Sequence, residues 1–310
     1  MAKFLFGKSR AMNKIKESLQ AISESDLPIL IEGETGTGKS LFAKQIHRLS
    51  RRASGEFVKL DCATLPSNLV ESELFGHEKG AFTNAMETKS GIFERANGGT
   101  IFLEEIENLE WSLQAKLLTV LEDKKIRRVG GSKDISVDFR LISASNDHIA
   151  NKVQEGNFRP DLFYRLRGTE LYLPPLRERK EDLLELAEHF LEIYNKSIKS
   201  KKKLSNEVKF YLRNYSWPGN IRELKFAVEE AAVKSVSDEI QVNNFSIDFR
   251  NTLANIEDNK DHKTLVEEER RHIEVVLNSV QFNKTRAAKI LGIGLNTLYR
   301  KIDKYGIKNV

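Results

Sequence analysis

Short apolar runs and amphipathic stretches alternate along the first 173 residues. The apolar runs have the length and β-branched content of buried strands, and they lie at 27–31, 57–62, 101–103 and 139–144. Between them, apolar residues recur at helical spacing. Strands of this kind belong in a mostly parallel sheet that is covered by helices on both faces. The pattern therefore predicts an α/β fold for residues 1–173.

The pattern changes after Leu173, where strand-like runs end and helical spacing continues. Residues 174–245 predict an all-helical subdomain. Its helices are expected at Glu181–Tyr194, Asn206–Asn214 and Ile221–Ser235. Residues 246–261 lose this periodicity and gain Asn and Asp, which is typical of a linker. Residues 262–310 return to helical spacing and predict a separate C-terminal domain.

A glycine-rich segment separates the predicted strand at 27–31 from the helix that follows. It consists of Gly33, Glu34, Thr35, Gly36, Thr37, Gly38, Lys39 and Ser40. Glycines let the backbone turn its N–H groups toward an anion, and the helix N-terminus adds a partial positive charge. Lys39 can then reach the terminal phosphates of a nucleotide, and Ser40 can ligate Mg²⁺. A glycine turn without a ligand would leave the Lys-Ser pair unexplained, so we predict a phosphate-binding loop.

Polar side chains follow two of the predicted strands. Glu104 and Glu105 come after the run at 101–103, and Asn146 comes after the run at 139–144. Ligands of open parallel sheets bind beyond the carboxyl ends of the strands, so these side chains should lie near the glycine loop. One acid can order Mg²⁺ through water, and the other can orient or activate an attacking water. Taken alone, the acids also fit a helix start, and Asn146 fits a simple turn.

The C-terminal domain carries most of the chain's net charge of +5. From residue 281 to residue 310 there are seven Lys or Arg against one Asp. Two short predicted helices flank the turn at 292–294, which describes a helix-turn-helix and favours DNA over a plain helical hairpin. Asn296 and Arg300 are candidates for base contacts, and Lys289 and Lys304 for phosphate contacts. The candidate DNA-binding side chains are Thr285, Arg286, Asn296, Thr297, Tyr299, Arg300 and Lys301.

Composition excludes several classes of protein. No apolar run approaches the roughly 20 residues that a bilayer requires, so we expect no membrane partner. A single Cys62 rules out an internal disulfide and favours a reducing cytoplasm. The six histidines show no spacing typical of a zinc site.

Two further segments are open to a structural interpretation. Phe75 and Phe82 flank a polar, glycine-rich stretch that is too irregular for one helix, which indicates a projecting loop with an aromatic tip. Composition alone favours both phenylalanines as core residues. Arg159 and Arg165 flank a helix that starts with a proline, and by default they are surface arginines. A further stretch, 125–137, predicts a β-hairpin.

Taken together, these segments closely resemble the AAA+ activators of sigma-54 RNA polymerase, the bacterial enhancer-binding proteins, over nearly the whole chain. The segment 33–40 is similar to the family's Walker A motif, and 101–105 to its Walker B motif. The segment 71–78 followed by 80–85 is similar to the loop that contacts sigma-54. The C-terminal helices resemble the Fis-type DNA-binding domain that is usual in this family.

The resemblance implies roles that the pattern alone does not. It assigns Asn146 to sensor I and Arg222 to sensor II. Arg159 and Arg165 fall at the two arginine fingers, which reach into a neighbouring subunit's ATP site. The sigma-54 contact residues it implies are Gly80, Ala81, Phe82, Thr83, Asn84 and Ala85.

The same resemblance implies ATP and Mg²⁺ as cofactors, with Ser40 and Glu104 at the metal. It also implies a homo-oligomer, from dimer to hexameric ring, because each ATP lies at a subunit interface. The expected partners are enhancer-like upstream DNA and sigma-54 RNA polymerase. The expected output is remodelling of the closed promoter complex so that the DNA opens.

Three features depart from the family pattern. Asn84 replaces the second glycine of Gly-Ala-Phe-Thr-Gly-Ala, although Asn tolerates a positive φ. Glu104 replaces the usual Asp of Walker B and is one methylene longer. The chain begins where the ATPase begins, without the N-terminal regulatory domain common in members. We therefore expect control by a separate regulatory protein, or by an upstream segment that has been removed.

Asn84 and Glu104 keep an alternative function open. In that alternative, the protein is a DNA-binding regulator that uses ATP binding to oligomerise and does not act on sigma-54. A phosphate-loop kinase or a helicase would need a substrate pocket or a motor surface, for which the sequence has no motif.

Overall fold

The computed structural model describes residues 7–83, 85–246, 265–280 and 282–307. Asn84 and the linker predicted at 246–261, except for its first residue, lie outside the described residues. The chain divides into two compact units, Met1–Ser246 and Ile247–Val310.

A five-stranded sheet forms the centre of the first unit. Its strands are β1 (Ile29–Glu32), β2 (Phe57–Asp61), β5 (Thr100–Glu104), β8 (Arg140–Ser145) and β9 (Thr169–Tyr172). The order is β2-β5-β8-β1-β9, and every neighbouring pair is parallel. The predicted α/β fold is confirmed. The sequence pattern missed β9, an edge strand in which Leu171 is the only buried residue.

Short strand pairs lie outside this sheet. They are β3 (Gly76–His77) with β4 (Lys89–Ser90), β6 (Lys125–Ile126) with β7 (Ile135–Ser136), and β10 (Lys203–Leu204) with β11 (Glu239–Ile240). The β6–β7 pair is the predicted hairpin. The β3–β4 pair is antiparallel and carries the projecting loop between its strands.

The helices of the first unit cover the sheet and then continue through residues 174–245. They are α1 (Arg10–Glu24), α2 (Lys39–Leu49), α3 (Ser67–Phe75), α4 (Ile92–Arg95), α5 (Trp111–Asp123), α6 (Ile149–Gln154), α7 (Pro160–Leu166), α8 (Lys180–Ile198), α9 (Asn206–Asn214) and α10 (Asn220–Lys234). Single 3₁₀ turns occur at Ile106–Asn108, Leu176–Glu178 and Val242–Asn244. The prediction that residues 174–245 are all-helical is wrong, because this region also contains the short β10–β11 pair.

Alternation along the strands produces two apolar layers. In β1, Ile29 and Ile31 pack with the buried side chains of α1 and α2, whereas Leu30 belongs to the layer that contains α3, α5 and α7. This is the expected result when successive side chains of a fully buried strand point to opposite faces. The sheet is thus enclosed on both sides, and only its ends remain available for a ligand.

Three strands end side by side at one edge of the sheet. Glu32, the last residue of β1, pairs with Ser145 of β8, and Glu104 of β5 pairs with Ala144. The glycine loop, the segment after Glu104 and the segment after Ser145 therefore leave the sheet together. This edge is where open parallel sheets bind ligands.

The second unit contains α11 (Leu265–Ser279), α12 (Lys284–Ile290) and α13 (Leu295–Tyr305). Its core contains Ile273 and Leu277 of α11, Ala287 of α12 and Leu298 of α13. Gly292, with φ of 65°, lies in the turn between α12 and α13, where a left-handed conformation is needed. The two predicted helices of the helix-turn-helix are confirmed.

A buried arginine anchors the end of α1 to the sheet. Arg140, at the start of β8, is 1% exposed and donates to the carbonyl oxygens of Ser23 and Ile22, each at 2.6 Å. The last carbonyls of a helix have no partner within the helix, and a cation there also favours the helix dipole. Arg140 therefore joins α1 to the central sheet.

We expect Arg140→Ala to lower the free energy of unfolding by about 2–4 kcal/mol, because it leaves one buried and one part-buried carbonyl unpaired and opens a cavity. Chemical denaturation monitored by circular dichroism measures the change. Arg10→Ala, at an exposed position of α1, is the control and should change the free energy by less than about 0.5 kcal/mol. Equal stability of the two variants would contradict an anchoring role for Arg140.

Candidate functional site

The glycine loop holds a conformation that requires glycine. Gly36 and Gly38 have φ of 82° and 103°, and α2 begins at the next residue, Lys39. A Cβ on Gly36 would lie 2.3 Å from the carbonyl oxygen of Gly219, which belongs to the turn before α10. The loop is therefore packed directly against the helical region, and it leads straight into the N-terminus of α2, where anions bind.

Lys39 is enclosed at the centre of the site. It is 5% exposed, and its Nζ donates to the carbonyl oxygens of Gly33 at 2.5 Å and Glu34 at 3.0 Å. The same Nζ donates to Oδ1 of Asn146 at 2.8 Å. Burial lowers the pKa of Lys39, and nearby carboxylates, chiefly Glu107 and Glu104, oppose this shift. Lys39 and Asn146, two predicted site residues, are thus in direct contact.

Ser40 and Glu104 are also in contact, as their predicted roles require. The Ser40 hydroxyl donates to Oε1 of Glu104, and Lys59 of β2 forms an ion pair with Oε2. Burial raises the pKa of the Glu104 carboxyl, but the hydrogen bonds from Lys59 and Ser40 outweigh it and hold the pKa below its usual value. A hydroxyl and an ionised carboxylate side by side are the oxygen ligands that Mg²⁺ prefers. The residues present therefore fit this metal.

Glu105 lies in a strained backbone conformation. Its φ of 54° and ψ of 46° are left-handed, which costs a residue with a Cβ about 1 kcal/mol or more. Its Oε2 accepts a hydrogen bond from Nδ2 of Asn108 at 3.2 Å. The chain turns here from β5 into the 3₁₀ turn at Ile106–Asn108, so Glu105 does not begin an α-helix.

Glu107 is a third carboxylate at this edge, which the sequence analysis did not select. Its Oε1 accepts a hydrogen bond from the backbone N–H of Asn146 at 2.9 Å. Burial raises the pKa of Glu107, and the bond from Asn146 acts against that shift. The signal in the sequence was a third acid three residues after Glu104, but its position depends on the left-handed turn at Glu105, which local propensity does not predict.

The helical region closes over the glycine loop through a group of polar contacts. Arg177 donates to both carboxylate oxygens of Glu34, at 2.8 and 2.5 Å. Nδ2 of Asn220 donates to Glu34 and to the carbonyl oxygen of Thr35, at 3.1 and 3.0 Å, and its Oδ1 accepts from the N–H of Leu176. These contacts connect the turn before α8 and the start of α10 to the loop.

Two more residues complete the contact between the loop and the helical region. Buried Arg179 donates to the carbonyl oxygen of Thr37 at 3.0 Å, and the N–H of Ile221 donates to that of Gly36 at 3.0 Å. Arg222 follows directly, and its charge contributes to lowering the pKa of Lys39. A Cβ on Gly36 would also lie 3.2 Å from the Cβ of Arg222, so the residue predicted for sensor II is beside the glycine loop.

Arg159 and Arg165 make their contacts elsewhere. Arg159 pairs with Asp161 and lies over the ring of Trp111, and Arg165 donates to the carbonyl oxygen of Leu121 at 3.2 Å. Among the described residues, neither arginine has a hydrogen bond or ion pair to the glycine loop, Glu104 or Glu105. Within one chain, these two predicted site residues are not part of the assembled cradle.

The projecting loop separates the two phenylalanines. Phe75 is 5% exposed in the core, as composition favoured, whereas Phe82 is 41% exposed and makes an edge contact with the ring of His77 at 4.9 Å. The N–H of Gly80 donates to the carbonyl oxygen of Ala85 at 2.8 Å and closes the tip, so Phe82 and Thr83 lie at its end. The core interpretation is thus wrong for Phe82.

In the second unit, α13 presents most of its predicted DNA-binding residues outward. Asn296, Tyr299 and Arg300 are exposed, and Thr297 is half-buried. Thr285 and Arg286 of α12 are exposed as well. Lys301 instead forms an ion pair with Glu269 of α11 at 2.6 Å, so its charge is partly neutralised within the unit.

Comparison with known proteins assigns the family. Residues 5–172 match the family described as "Sigma-54 interaction domain", which is more than half of the chain. The chain belongs to the sigma-54 interaction domain family. Residues 177–262 match an "AAA+ ATPase lid domain", and residues 264–305 match "Bacterial regulatory protein, Fis family". This sigma-54 activator therefore combines an ATP-binding AAA+ domain, its lid and a Fis-type DNA-binding domain.

The chain is similar to several curated regulatory proteins. The chain is 44% identical over 308 residues to the regulatory protein AtoC of Escherichia coli, covering 96% of this chain and 67% of AtoC. It is 38% identical over 330 residues to the transcriptional regulator NtrC of the same species, covering 98% and 70%. A signal-transduction and transcriptional-control protein of Clostridium beijerinckii is 42% identical over 307 residues, covering 98% and 49%. The chain thus spans between about half and 70% of the length of these relatives.

Solved structures support the fold of this sigma-54 activator. NtrX of Brucella abortus in complex with ADP matches with a TM-score of 0.75 and 30% identity, over 98% of this chain and 70% of NtrX. The complex of NtrX with ATP matches with a TM-score of 0.74 and 30% identity, over 99% and 70%. In the part of the chain that the structure describes, no helix is both long and apolar enough to span a membrane.

We expect Asn220→Gly to weaken nucleotide binding about tenfold, because the loop loses the amide that connects it to the helical region. Glycine suits the φ of 54° at this position, so the change removes the side chain without straining the backbone. Titration of a fluorescent ADP analogue by anisotropy measures the effect. Asn214→Gly, at the exposed end of α9, is the control. Unchanged affinity in Asn220→Gly would show that the contact serves folding alone.

Proposed function

We propose that this chain is a ring-forming ATPase that binds enhancer-like DNA and remodels closed complexes of sigma-54 RNA polymerase. One observation carries the proposal. Lys39, Ser40, Glu104 and Asn146 are assembled within one chain, whereas Arg159 makes its contacts elsewhere. The cradle of one chain lacks Arg159 and Arg165, and it is completed when a second chain supplies them. The ATP and ADP complexes of NtrX support the choice of ligand.

The chemistry follows from the charges at this edge. The glycine loop and Lys39 bind the phosphates, and Ser40 with Glu104 would hold Mg²⁺, which neutralises charge on the terminal phosphates. Glu105 orients or activates the attacking water, and Asn146 fixes the end of Lys39. Arg222 contacts the nucleotide from the lid. Arg159 and Arg165 of the neighbouring subunit stabilise the charge that develops on the γ-phosphate.

Two regions convert the nucleotide state into movement: the lid, which contacts the cradle, and the projecting loop at residues 80–85. Because the lid touches the glycine loop through Asn220 and Arg177, loss of the γ-phosphate changes the balance of contacts there. Residues 80–85, with Phe82 at the tip, contact sigma-54 and move with the nucleotide state. Asn296 and Arg300 of α13 contact base edges. Because its partners are DNA and sigma-54 RNA polymerase, the protein acts in the cytoplasm.

We assign these activities to four segments. They are the AAA+ α/β subdomain at 1–173, the lid at 174–245, a linker at 246–261 and the Fis-type domain at 262–310. The matches to the lid and Fis-type families support the order of these segments.

Mixing two inactive variants tests whether subunits share each ATP. Lys39→Ala loses its own cradle but keeps Arg159, and Arg159→Ala keeps its cradle and should lose about a thousandfold in turnover. In an equal mixture, about a quarter of the head-to-tail interfaces join an intact cradle to an intact arginine. We expect the mixture to hydrolyse ATP at rates well above either variant alone. An inactive mixture of folded, assembled variants would contradict a shared site.

A purified transcription assay tests the output. We expect ATP-dependent opening of a sigma-54 promoter by the wild-type protein and increased opening by Asn84→Gly, which restores the glycine usual at this position in the family. Phe82→Ala should abolish opening while ATP turnover stays within about twofold, since Phe82 is exposed at the loop tip and its ring contact is with His77. DNA binding and ATP turnover without any opening would favour a regulator that uses ATP only to assemble.

A further inference from the structure

A buried glutamine holds the backbone of Arg159. Gln114, in α5, is 1% exposed, and its Oε1 accepts a hydrogen bond from the N–H of Arg159 at 2.8 Å. Arg159 is the residue before α7 and Pro160 is the first residue of that helix, so this N–H has no helical partner. Without Gln114 this part-buried N–H would lose its acceptor, and the backbone at Arg159 would shift to find another.

The same glutamine also binds the segment that follows the candidate acids. Its Nε2 donates to the carbonyl oxygen of Leu109 at 2.7 Å and to that of Asn157 at 3.4 Å. Leu109 follows the 3₁₀ turn that begins after Glu105. One side chain therefore sets the position of Arg159 relative to the acid segment of its own chain.

The guanidinium of Arg159 is held in addition to its backbone. It lies 5.5 Å from the ring centroid of Trp111, at the start of α5, and its Nε and Nη2 donate to Asp161 at 3.0 and 2.7 Å. Nη1 makes no hydrogen bond within the described residues. A guanidinium that is fixed on one face and one edge keeps a free donor pair for an external oxyanion. Trp111 is half exposed, so this arrangement lies at the surface.

We propose that Gln114 and Trp111 are positioning residues for Arg159, and that they present its free Nη1 to the nucleotide of the neighbouring subunit. The inference rests on the proposed function, because it requires a site shared between chains. Gln114 fixes the main chain and Trp111 fixes the plane of the guanidinium. Their effect is therefore exerted in the neighbour's site and not in the cradle of their own chain.

Mixed assemblies distinguish this role from a structural one. Gln114→Met keeps the length of the side chain and removes its hydrogen bonds, and it should lower ATP turnover roughly ten- to hundredfold through misplacement of Arg159. Trp111→Leu should lower turnover about two- to fivefold, the rate equivalent of a cation–π contact at an exposed site, and Trp111→Phe should restore it. Gln114→Met and Trp111→Leu should each bind a fluorescent ADP analogue with the affinity of the wild-type protein. Gln20→Met, at an exposed position of α1, is the control.

Complementation gives the decisive result. Gln114→Met mixed with Lys39→Ala should regain turnover, because the second variant supplies an intact Arg159. Mixed with Arg159→Ala, it should not, because both lack an effective arginine. Rescue of Gln114→Met by Arg159→Ala would overturn the proposal. So would a lack of rescue by either variant, if Gln114→Met has the melting temperature and the ADP affinity of the wild-type protein. If Gln114→Met does not fold, Trp111→Leu provides the test, and wild-type turnover of Trp111→Leu alone would overturn it.

The mixture of Lys39→Ala with Arg159→Ala separates this inference from the proposed function. If that mixture stays inactive, the shared site itself is wrong. If it regains activity while the Gln114 and Trp111 variants behave otherwise than stated, only the positioning role is wrong.

Discussion

The ammonium group of Lys39, buried between two loop carbonyls and Asn146, is the interaction on which the rest of the structure depends. A buried cation is tolerated only when it is fully hydrogen-bonded, and here its partners come from both the glycine loop and the end of β8. The order of the sheet brings these ends together, because β8 lies between β5 and β1. The apolar layers cover both faces of the sheet, so the ligand-binding edge lies at the carboxyl ends of the strands.

The same constraint connects the cradle to the lid. Gly36 approaches the turn before α10 so closely that only a glycine fits, and the Glu34 carboxylate binds Arg177 and Asn220 of the lid. Any ligand that alters the loop therefore acts on residues that belong to the next subdomain. Arg159 and Arg165 are held apart from this cradle, and in the proposed function a neighbouring chain supplies them.

The hydrophobic pattern was sufficient to predict the buried strands, because their continuous apolar runs are too short for a buried helix. It failed for β9, which is an edge strand with one buried residue. It also could not distinguish buried Phe75 from exposed Phe82, because their burial depends on where the loop between β3 and β4 projects. Phosphate-loop spacing led directly to Lys39 and Ser40. Glu107 was missed because its position depends on the left-handed turn at Glu105, and the pairing of Lys301 with Glu269 depends on tertiary packing. The roles assigned to these residues remain predictions.

The dependence of ATP turnover on protein concentration tests the shared site most directly. The account predicts that turnover per chain rises steeply as sedimentation shows assembly and then reaches a plateau, while nucleotide binding per chain is already complete in the unassembled protein. Constant turnover per chain down to concentrations at which the protein is monomeric would contradict it, because a single chain would then contain every group that hydrolysis needs.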